Sequence, residues 1–336
     1  MMTGMTVPLL FDQQLIRQHR QRASRDYADF AFLKDAAAAR LADRLELIRR
    51  DFDLCLDIGA HDGRLAQHFA QHFAQDSAQN PGQNPGQNPG QDSVADSAGS
   101  GKIGHMIQAD PAVGFALAAA GYGSGHGSGI VHALDQLPYK AESFDAVFSC
   151  LSLHWVDDLP GLMMQARRLL KPDGLLLMSL LGGNSLIELR QVLAEAEQDI
   201  TGGLSPRCAP MADIRDIGGL LGRAGLALPV ADSDRLTVHY PHMFKLMADL
   251  RGMGEQNALL ARLKTPTRRD VFYRAAEIYQ QRFGQADGQI PASFEIVTVT
   301  GWAPHESQQK PLRPGSAAQR LATVLESDEK DPETGV

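Results

Sequence analysis

Two short stretches carry the residues best suited to chemistry. The first is Leu56-Asp57-Ile58-Gly59-Ala60-His61-Asp62-Gly63, and the second is the acid Asp110, which ends a later apolar run. A glycine turn between a strand and a helix lets the backbone approach a nucleoside ligand closely, with helix amides facing it. Asp57, Gly59, Ala60 and Gly63 are therefore candidate cofactor residues. A dinucleotide turn would read Gly-x-Gly-x-x-Gly, whereas here an acid ends the strand and only Gly59 and Gly63 remain, an arrangement better suited to an ammonium than to a pyrophosphate. From 57 to 110 is 53 residues, and without the 28 residues of 75–102 the spacing is 25. That is near the ~20 expected between a nucleotide turn and the acid that binds ribose hydroxyls.

A second group follows the apolar run Phe144 to Cys150. Leu151 stands at the strand end as a further cofactor-lining candidate, and His154 and Trp155 come just after. His154 has the chemistry of a general base or a metal ligand and Trp155 that of an apolar wall, although both residue types also serve as plain packing. Arg17, Arg20, Arg22 and Arg25 cluster ahead of the first long helix, where they either close over a cofactor, meet an acidic partner or form a solvated face. Arg251, Glu255, His239 and Tyr240 are candidates for a substrate mouth or for surface capping. His305 and Glu306 lack a third ligand at recognisable spacing, so no metal site is expected.

The elements that must hold these residues read as alternating strands and helices. Lys34 to Arg50 is helical by apolar spacing, Leu54 to Ile58 is strand, and a helix follows from Arg64 to Ala74. Strands are expected at 103–109, 130–133, 144–150 and 175–180, with helices at 111–120 and 158–171 between them. Such alternation implies a mostly parallel, doubly wound sheet with helices on both faces. Farther on, 185–199, 214–224, 242–263 and 270–283 read as helices, and 235–240 and 294–300 as strands.

Two tracts interrupt this texture. Asn-Pro-Gly-Gln occurs three times between Asn80 and Gln91, so 75–102 is expected to be a disordered insertion, and the glycine-rich 121–129 a flexible loop. Composition excludes several classes. The formal charge of −8 argues against a broad nucleic-acid surface, and 43% hydrophobic residues suit a protein with a sizeable core. Three separated cysteines form neither a zinc pattern nor a disulfide framework. The sequence shows neither a membrane span nor a secretory signal, and a cytoplasmic protein is expected.

The motifs resemble the class I S-adenosylmethionine-dependent methyltransferases. Asp57-x-Gly59-x-x-x-Gly63 is similar to their first motif, Asp110 to their second-strand acid, Leu137-Pro138-Tyr139 to their Leu-Pro-Phe turn, and Leu169 to Gly174 to the turn before their fifth strand. His61 stands where many members carry a glycine, and Ala133 where a purine-contacting acid is common, with Asp135 as the candidate substitute. A more specific resemblance, from about Phe11 to Ala318, is to the complex I assembly-factor family with arginine hydroxylase activity, bacterial relatives included. It is carried by Ser152-Leu153-His154-Trp155-Val156, Leu180-Leu181-Gly182-Gly183, Leu221-Gly222-Arg223-Ala224-Gly225, Tyr240-Pro241-x-Met243-Phe244, Leu250 to Glu255 and Gly301-Trp302-x-x-His305-Glu306-Ser307.

The resemblance implies a Rossmann-like class I methyltransferase fold, a mostly parallel seven-stranded sheet with a helical insertion in the C-terminal half. Three parts are expected along the chain: an N-terminal helical segment at 1–33, a methyltransferase-like domain at 34–320 with a helical cover at 241–283, and, from its polar composition, a disordered tail at 321–336. S-adenosylmethionine would be the cofactor, with Asp57 near its amino group and Asp110 on the ribose. The implied work is hydroxylation of an arginine in a complex I iron–sulfur subunit, at a cytoplasmic site peripheral to the inner membrane. Two alternatives stand beside it: methyl transfer to a carboxylate such as malonyl-acyl carrier protein, to which a weaker resemblance exists, and a non-catalytic assembly chaperone.

Overall fold

A strand that is apolar on both faces needs a cover on both, and the stretch Leu170–Leu181 shows how this chain supplies it. In the computed structural model, Leu175, Leu177 and Leu181 enter one core while Leu176, Met178 and Leu180 enter another. The structure describes residues 9–79, 102–121 and 127–309. In chain order the elements are α1 (Gln13–Ala23), α2 (Phe32–Glu46), β1 (Phe52–Ile58), α3 (Arg64–Gln79), β2 (Ile103–Asp110), α4 (Val113–Gly121), β3 (Gly127–Val131) and β4 (Phe144–Cys150). There follow α5 (Leu159–Leu169), β5 (Leu170–Leu181), α6 (Ile187–Thr201), α7 (Ile214–Arg223), β6 (Ala227–Tyr240), α8 (Met243–Met253), α9 (Arg269–Phe283) and β7 (Ile290–Trp302). Short 3₁₀ turns occupy Tyr27–Phe30 and Leu153–Trp155.

The seven strands form one sheet in the order β3-β2-β1-β4-β5-β7-β6. Five run parallel, and β7 and β6 add an antiparallel edge. On one face α2, α3, α6 and α9 cover the sheet; on the other, α5 and α7 do so. Strand order reverses between β1 and β4, and a doubly wound sheet opens its ligand crevice beyond the carboxyl ends of the strands at that point. Asp57 and Gly59 lie at the end of β1, and Leu151 to Trp155 beyond the end of β4.

Several boundaries differ from the sequence expectation. α3 runs on to Gln79, because nothing in Gln75 to Gln79 stops a helix before the first proline at 81; the rest of the expected insertion, 80–101, lies outside the described residues. Residues 127–129 of the expected loop belong to β3, drawn into register by pairing with Met106 to Gln108, while 122–126 lie outside the described residues. β5 begins at Leu170, which pairs with Phe144 across a bulge, rather than after Gly174. α8 ends at Met253 and not near Leu263, because Gly254 takes a left-handed conformation (φ +84°) and its amide caps the helix carbonyls. β6 starts at Ala227, eight residues ahead of expectation. As an edge strand it leaves most of this stretch exposed or half-buried, and no apolar alternation marks it.

The stretch Met1–Pro304 is one compact unit, and His305 begins another. In the described part of the second unit, the His305 imidazole and the Ser307 hydroxyl share a hydrogen bond of 2.7 Å. The expected tail at 321–336 lies outside the described residues. Among those that are described, no helix is long and apolar enough to cross a membrane.

Candidate functional site

Asp57 sits at the end of β1 with no exposed surface, and neither of its carboxylate oxygens has a hydrogen-bond partner among the described residues. Burial pushes its carboxyl up, to about 6, against the pull of Lys34. A buried carboxylate without donors is costly, and a positively charged ligand group placed on it would relieve that cost.

The turn that follows is tighter than its glycines suggested. The amides of Gly59 and Ala60 donate to the Ala109 carbonyl at 2.8 and 3.0 Å, Gly63 donates to Ala60 at 3.2 Å, and His61 donates to Asp110 Oδ2 at 3.0 Å. These four amides are engaged within the protein rather than left free for a ligand, which corrects the expectation of unpaired donors there. Gly59 (φ +74°) is required by a close approach of the chain itself: a Cβ would fall 2.3 Å from the Ser152 side chain, whose hydroxyl donates to the Gly59 carbonyl at 2.8 Å. Gly63 (φ +81°) makes room for Gln108 and Ala119.

Asp110 is saturated. Oδ1 accepts from Arg20 Nε at 3.3 Å and from the Ala112 amide at 2.9 Å, and Oδ2 accepts from Arg20 Nη2 as well as from His61. Of the four arginines in the N-terminal cluster, Arg17, Arg22 and Arg25 face solvent and Arg20 alone turns inward. The signal lay in the spacing, since Arg20 shares one helix face with Ile16 and Ala23. Tyr27 stacks on the His61 ring at 5.1 Å, and Phe115 meets both edge-on.

Lys34 was not singled out by its sequence, yet it is 2% exposed and central. From the first turn of α2 its Nζ donates to the carbonyls of Gly59 and Cys150, both at 3.1 Å, and to His61 Nδ1 at 2.6 Å. Burial, with Arg20 and Lys34 nearby, drives the His61 pKa well down, so the ring is neutral and able to accept that proton. The apolar period of α2, with Leu33, Ala37, Ala38 and Leu41 on the same side, was the available clue. Leu151 (φ +47°) lines the same hollow as Lys34 and His61. Asp135 is half-buried, and its backbone carbonyl accepts from the Gln165 side-chain amide; its carboxylate has no hydrogen bond among the described residues.

The residues thus fit S-adenosylmethionine in two unequal ways. At the methionine end, Asp57 offers an unmet charge for an ammonium. At the ribose end, Asp110 fits two hydroxyls only after Arg20 gives it up.

His154 lines the hollow beside Lys34, His61 and Leu151, and Trp155 lines the larger cavity next to it. His154 Nε2 and Glu255 Oε2 are 2.9 Å apart, and the Trp155 indole donates to the same oxygen at 2.8 Å. Burial pushes the Glu255 carboxyl up, but His154, Arg20 and the indole N–H outweigh it and hold the group below the usual carboxylate range. His154 Nδ1 is buried and has no partner among the described residues. Glu255 is therefore no surface cap; it joins the two candidates that follow β4. Arg251 lies near it on a cavity wall, whereas Tyr240 is buried in the core beneath α8 and His239 bonds the Gln285 amide on the β6 edge, so those two do not reach a substrate mouth. Cys55, Cys150 and Cys208 are free, and burial raises the Cys150 thiol to about 11. Among the described residues, no group of three or more His, Cys, Asp or Glu is placed to hold a metal ion.

Residues 98–178 match the model of a methyltransferase domain. The chain is 37% identical over 310 residues to the mouse (Mus musculus) mitochondrial arginine-hydroxylase NDUFAF5, covering 92% of this chain and 81% of the relative. It is 38% identical over 168 residues to the malonyl-[acyl-carrier protein] O-methyltransferase of Xylella fastidiosa, half of this chain and 55% of the relative. In fold it is similar to a candidate methyltransferase from Bacillus halodurans, with a TM-score of 0.52 at 14% identity over 80% of this chain and all of that one.

Proposed function

Since this chain belongs to the family of the arginine-hydroxylase NDUFAF5 proteins, within the methyltransferase superfamily, we propose that it modifies an arginine side chain of a respiratory complex I iron–sulfur subunit during assembly. S-adenosylmethionine is its cofactor, and Asp57 and Asp110 are the residues to hold it; the hollow beside Leu151 has only about 20 Å³ free, so the side chains around it must move apart to admit the ligand. The observation that carries this reading is Asp57: a fully buried carboxylate with two unused oxygens, at the sheet's switch point, waits for an ammonium. When bound, S-adenosylmethionine would supply an electrophilic methyl for methyl transfer, whereas hydroxylation would draw its oxygen from a separate oxidant; in either case this chain's own residues position and shelter the partner group. His154, held by Glu255, is the candidate to orient or accept a proton there. The work takes place in the cytoplasm, peripheral to the membrane where the partner is assembled.

A second reading, methyl transfer to a carboxylate such as malonyl-acyl carrier protein, is favoured by Arg251, which faces the adjoining cavity with no acid partner among the described residues. Mass spectrometry of the iron–sulfur subunit from cells with and without this protein separates the readings. An arginine that loses one added oxygen atom on deletion supports hydroxylation, and one that loses a methyl group supports methylation of the same partner. An unmodified arginine in both strains overturns the arginine reading, leaving carboxyl methylation or a non-catalytic assembly role.

A further inference from the structure

A cavity of about 510 Å³ adjoins the hollow under His61, and Leu33, Leu181, Met253 and Glu255 line both. Its wall is largely apolar: Leu186, Leu189 and Leu193 come from around α6, Met247 from α8, Phe272 from α9 and Phe294 from β7. A chamber of this size takes a side chain or a small molecule and selects it through a few placed polar groups.

Ligand classes are separated by the hydrogen-bonding capacity the protein leaves unspent. Arg207 is committed to Glu197 and Thr267, and Arg262 to Asp12 and the Leu259 carbonyl. Asn257 donates to Pro206 and accepts from the Leu259 amide. What remains on the inner wall is the Gln256 side-chain amide, which can donate or accept, and the acceptors of Glu255 and His19. Glu255 receives both of its hydrogen bonds on Oε2, so Oε1 has no donor among the described residues. His19 lines the cavity at 7% exposure; its Nδ1 is buried away from the chamber with no hydrogen-bond partner among the described residues, which leaves Nε2 as the ring nitrogen that can face a ligand. Burial, with Arg22 and Arg262 nearby, lowers the His19 pKa, so the ring stays neutral and keeps an acceptor nitrogen. Arg251, exposed at the rim, is the one guanidinium on the wall without an acid partner among the described residues.

We propose that this cavity is the substrate side-chain site, and that it takes a guanidinium on an aliphatic stem, held by Glu255 Oε1 and the His19 imidazole. The inference rests on the arginine-modifying reading above and adds to it the chamber and its anchors. A methylene stem packs on leucine and methionine, while the planar fork of N–H donors meets both unused acceptors at once. An ammonium reaches Glu255 but has no fixed fork to span to His19, and a carboxylate opposes Glu255 directly. Arg251 at the rim is left for a backbone carbonyl of the incoming chain. Because Glu255 borders both spaces, a guanidinium held there lies at the edge of the cofactor cleft.

The test uses the full-length protein and Nα-acetyl-arginine amide as probe, with the matching lysine and norleucine amides and hexanoate as comparisons, read by ligand-observed NMR and calorimetry. Saturable binding of the arginine amide, at least tenfold tighter than the others and weakened at least tenfold by Glu255→Gln, is the expected result. Glu255→Gln keeps an acceptor for the Trp155 indole, so its melting temperature checks that the fold survives. Met247→Trp, which fills the chamber from its partly exposed wall, should abolish probe binding while S-adenosylmethionine affinity stays within about threefold. Equal binding of arginine and norleucine amides, preference for hexanoate, or an unchanged affinity in both variants overturns the assignment. Modified arginine in the partner together with probe binding indifferent to Glu255 would sink this site and leave the proposed activity standing. Glu255-dependent binding with no modified partner would do the reverse.

Discussion

Arg20 lies across Asp110 inside the molecule, its Nε donating to Oδ1 at 3.3 Å and its Nη2 to Oδ2, with 2% and 0% of the two side chains exposed. The acid that a nucleoside's hydroxyls would need is held by the chain's own guanidinium. α1 carries His19 toward the substrate chamber and Arg20 toward the cofactor cleft, so one helix borders both spaces.

Replacing Arg20 should separate its two effects. Arg20→Met leaves a buried carboxylate without its cation and should destabilise the ligand-free protein by up to roughly 3–5 kcal/mol. The same change removes a competitor for Asp110, so the rise in melting temperature on adding S-adenosylmethionine should exceed that of the wild type. A smaller rise would show that Arg20 helps to hold the cofactor.

Asp57 predicts a pH dependence of stability. Its folded pKa of about 6 lies above the ordinary 3.8, so the native state keeps the proton longer than the unfolded chain does. The associated stability is fully present below about pH 4 and is lost as pH rises to about 6, at roughly 1.4 kcal/mol per pKa unit. Asp57→Asn should therefore be more stable than wild type at pH 7 and equal to it near pH 4, as urea titrations across that range can measure. Cofactor affinity of the variant should fall, and that of the wild type should weaken below pH 6 as the carboxyl protonates.

Gly59→Ala should be costly for two reasons that a second substitution can part. The left-handed backbone costs about 1–2 kcal/mol for any L side chain, and the new methyl meets Ser152 at 2.3 Å. Adding Ser152→Gly removes the clash but not the backbone strain. The double variant should recover part of the loss in thermal melts despite forfeiting the hydroxyl's bond to Gly59; full additivity of the two losses would refute the contact.

Glu188 ties α6 to β7. It is 5% exposed and accepts from the Ser293 amide at 3.1 Å and from the Ser293 hydroxyl at 2.6 Å. Glu188→Ala should cost about 1–3 kcal/mol by leaving that buried amide without an acceptor. The denaturant midpoint should fall with an unchanged m-value, and Glu188→Gln should lose less.

Much of the architecture is legible in the residues alone, because local chemistry decides it. The apolar runs of β1, β4 and β5 announce strands buried on both faces, and the turn Asp57 to Gly63 between strand and helix announces a crevice. Edge elements are less legible. β6 and β3 are paired on one side only, and their exposed residues carry no alternation from which a period could be taken.

The site divides along the same line. The acids at the strand ends, Asp57 and Asp110, can be named from residue type and spacing, since a strand of given length places its end within local sequence. The side chains that meet around them cannot. Arg20 is 90 residues from Asp110, Lys34 is 27 from His61, and Glu255 is 101 from His154. Spacing along a chain says nothing about which of four arginines will turn inward, or whether a glutamate near a helix end is solvated. Those choices belong to the packing of α1, α2 and the segment after α8 over the sheet's switch point, where burial removes water and pairs Arg20 with Asp110 and His154 with Glu255 while leaving the Asp57 oxygens without donors among the described residues.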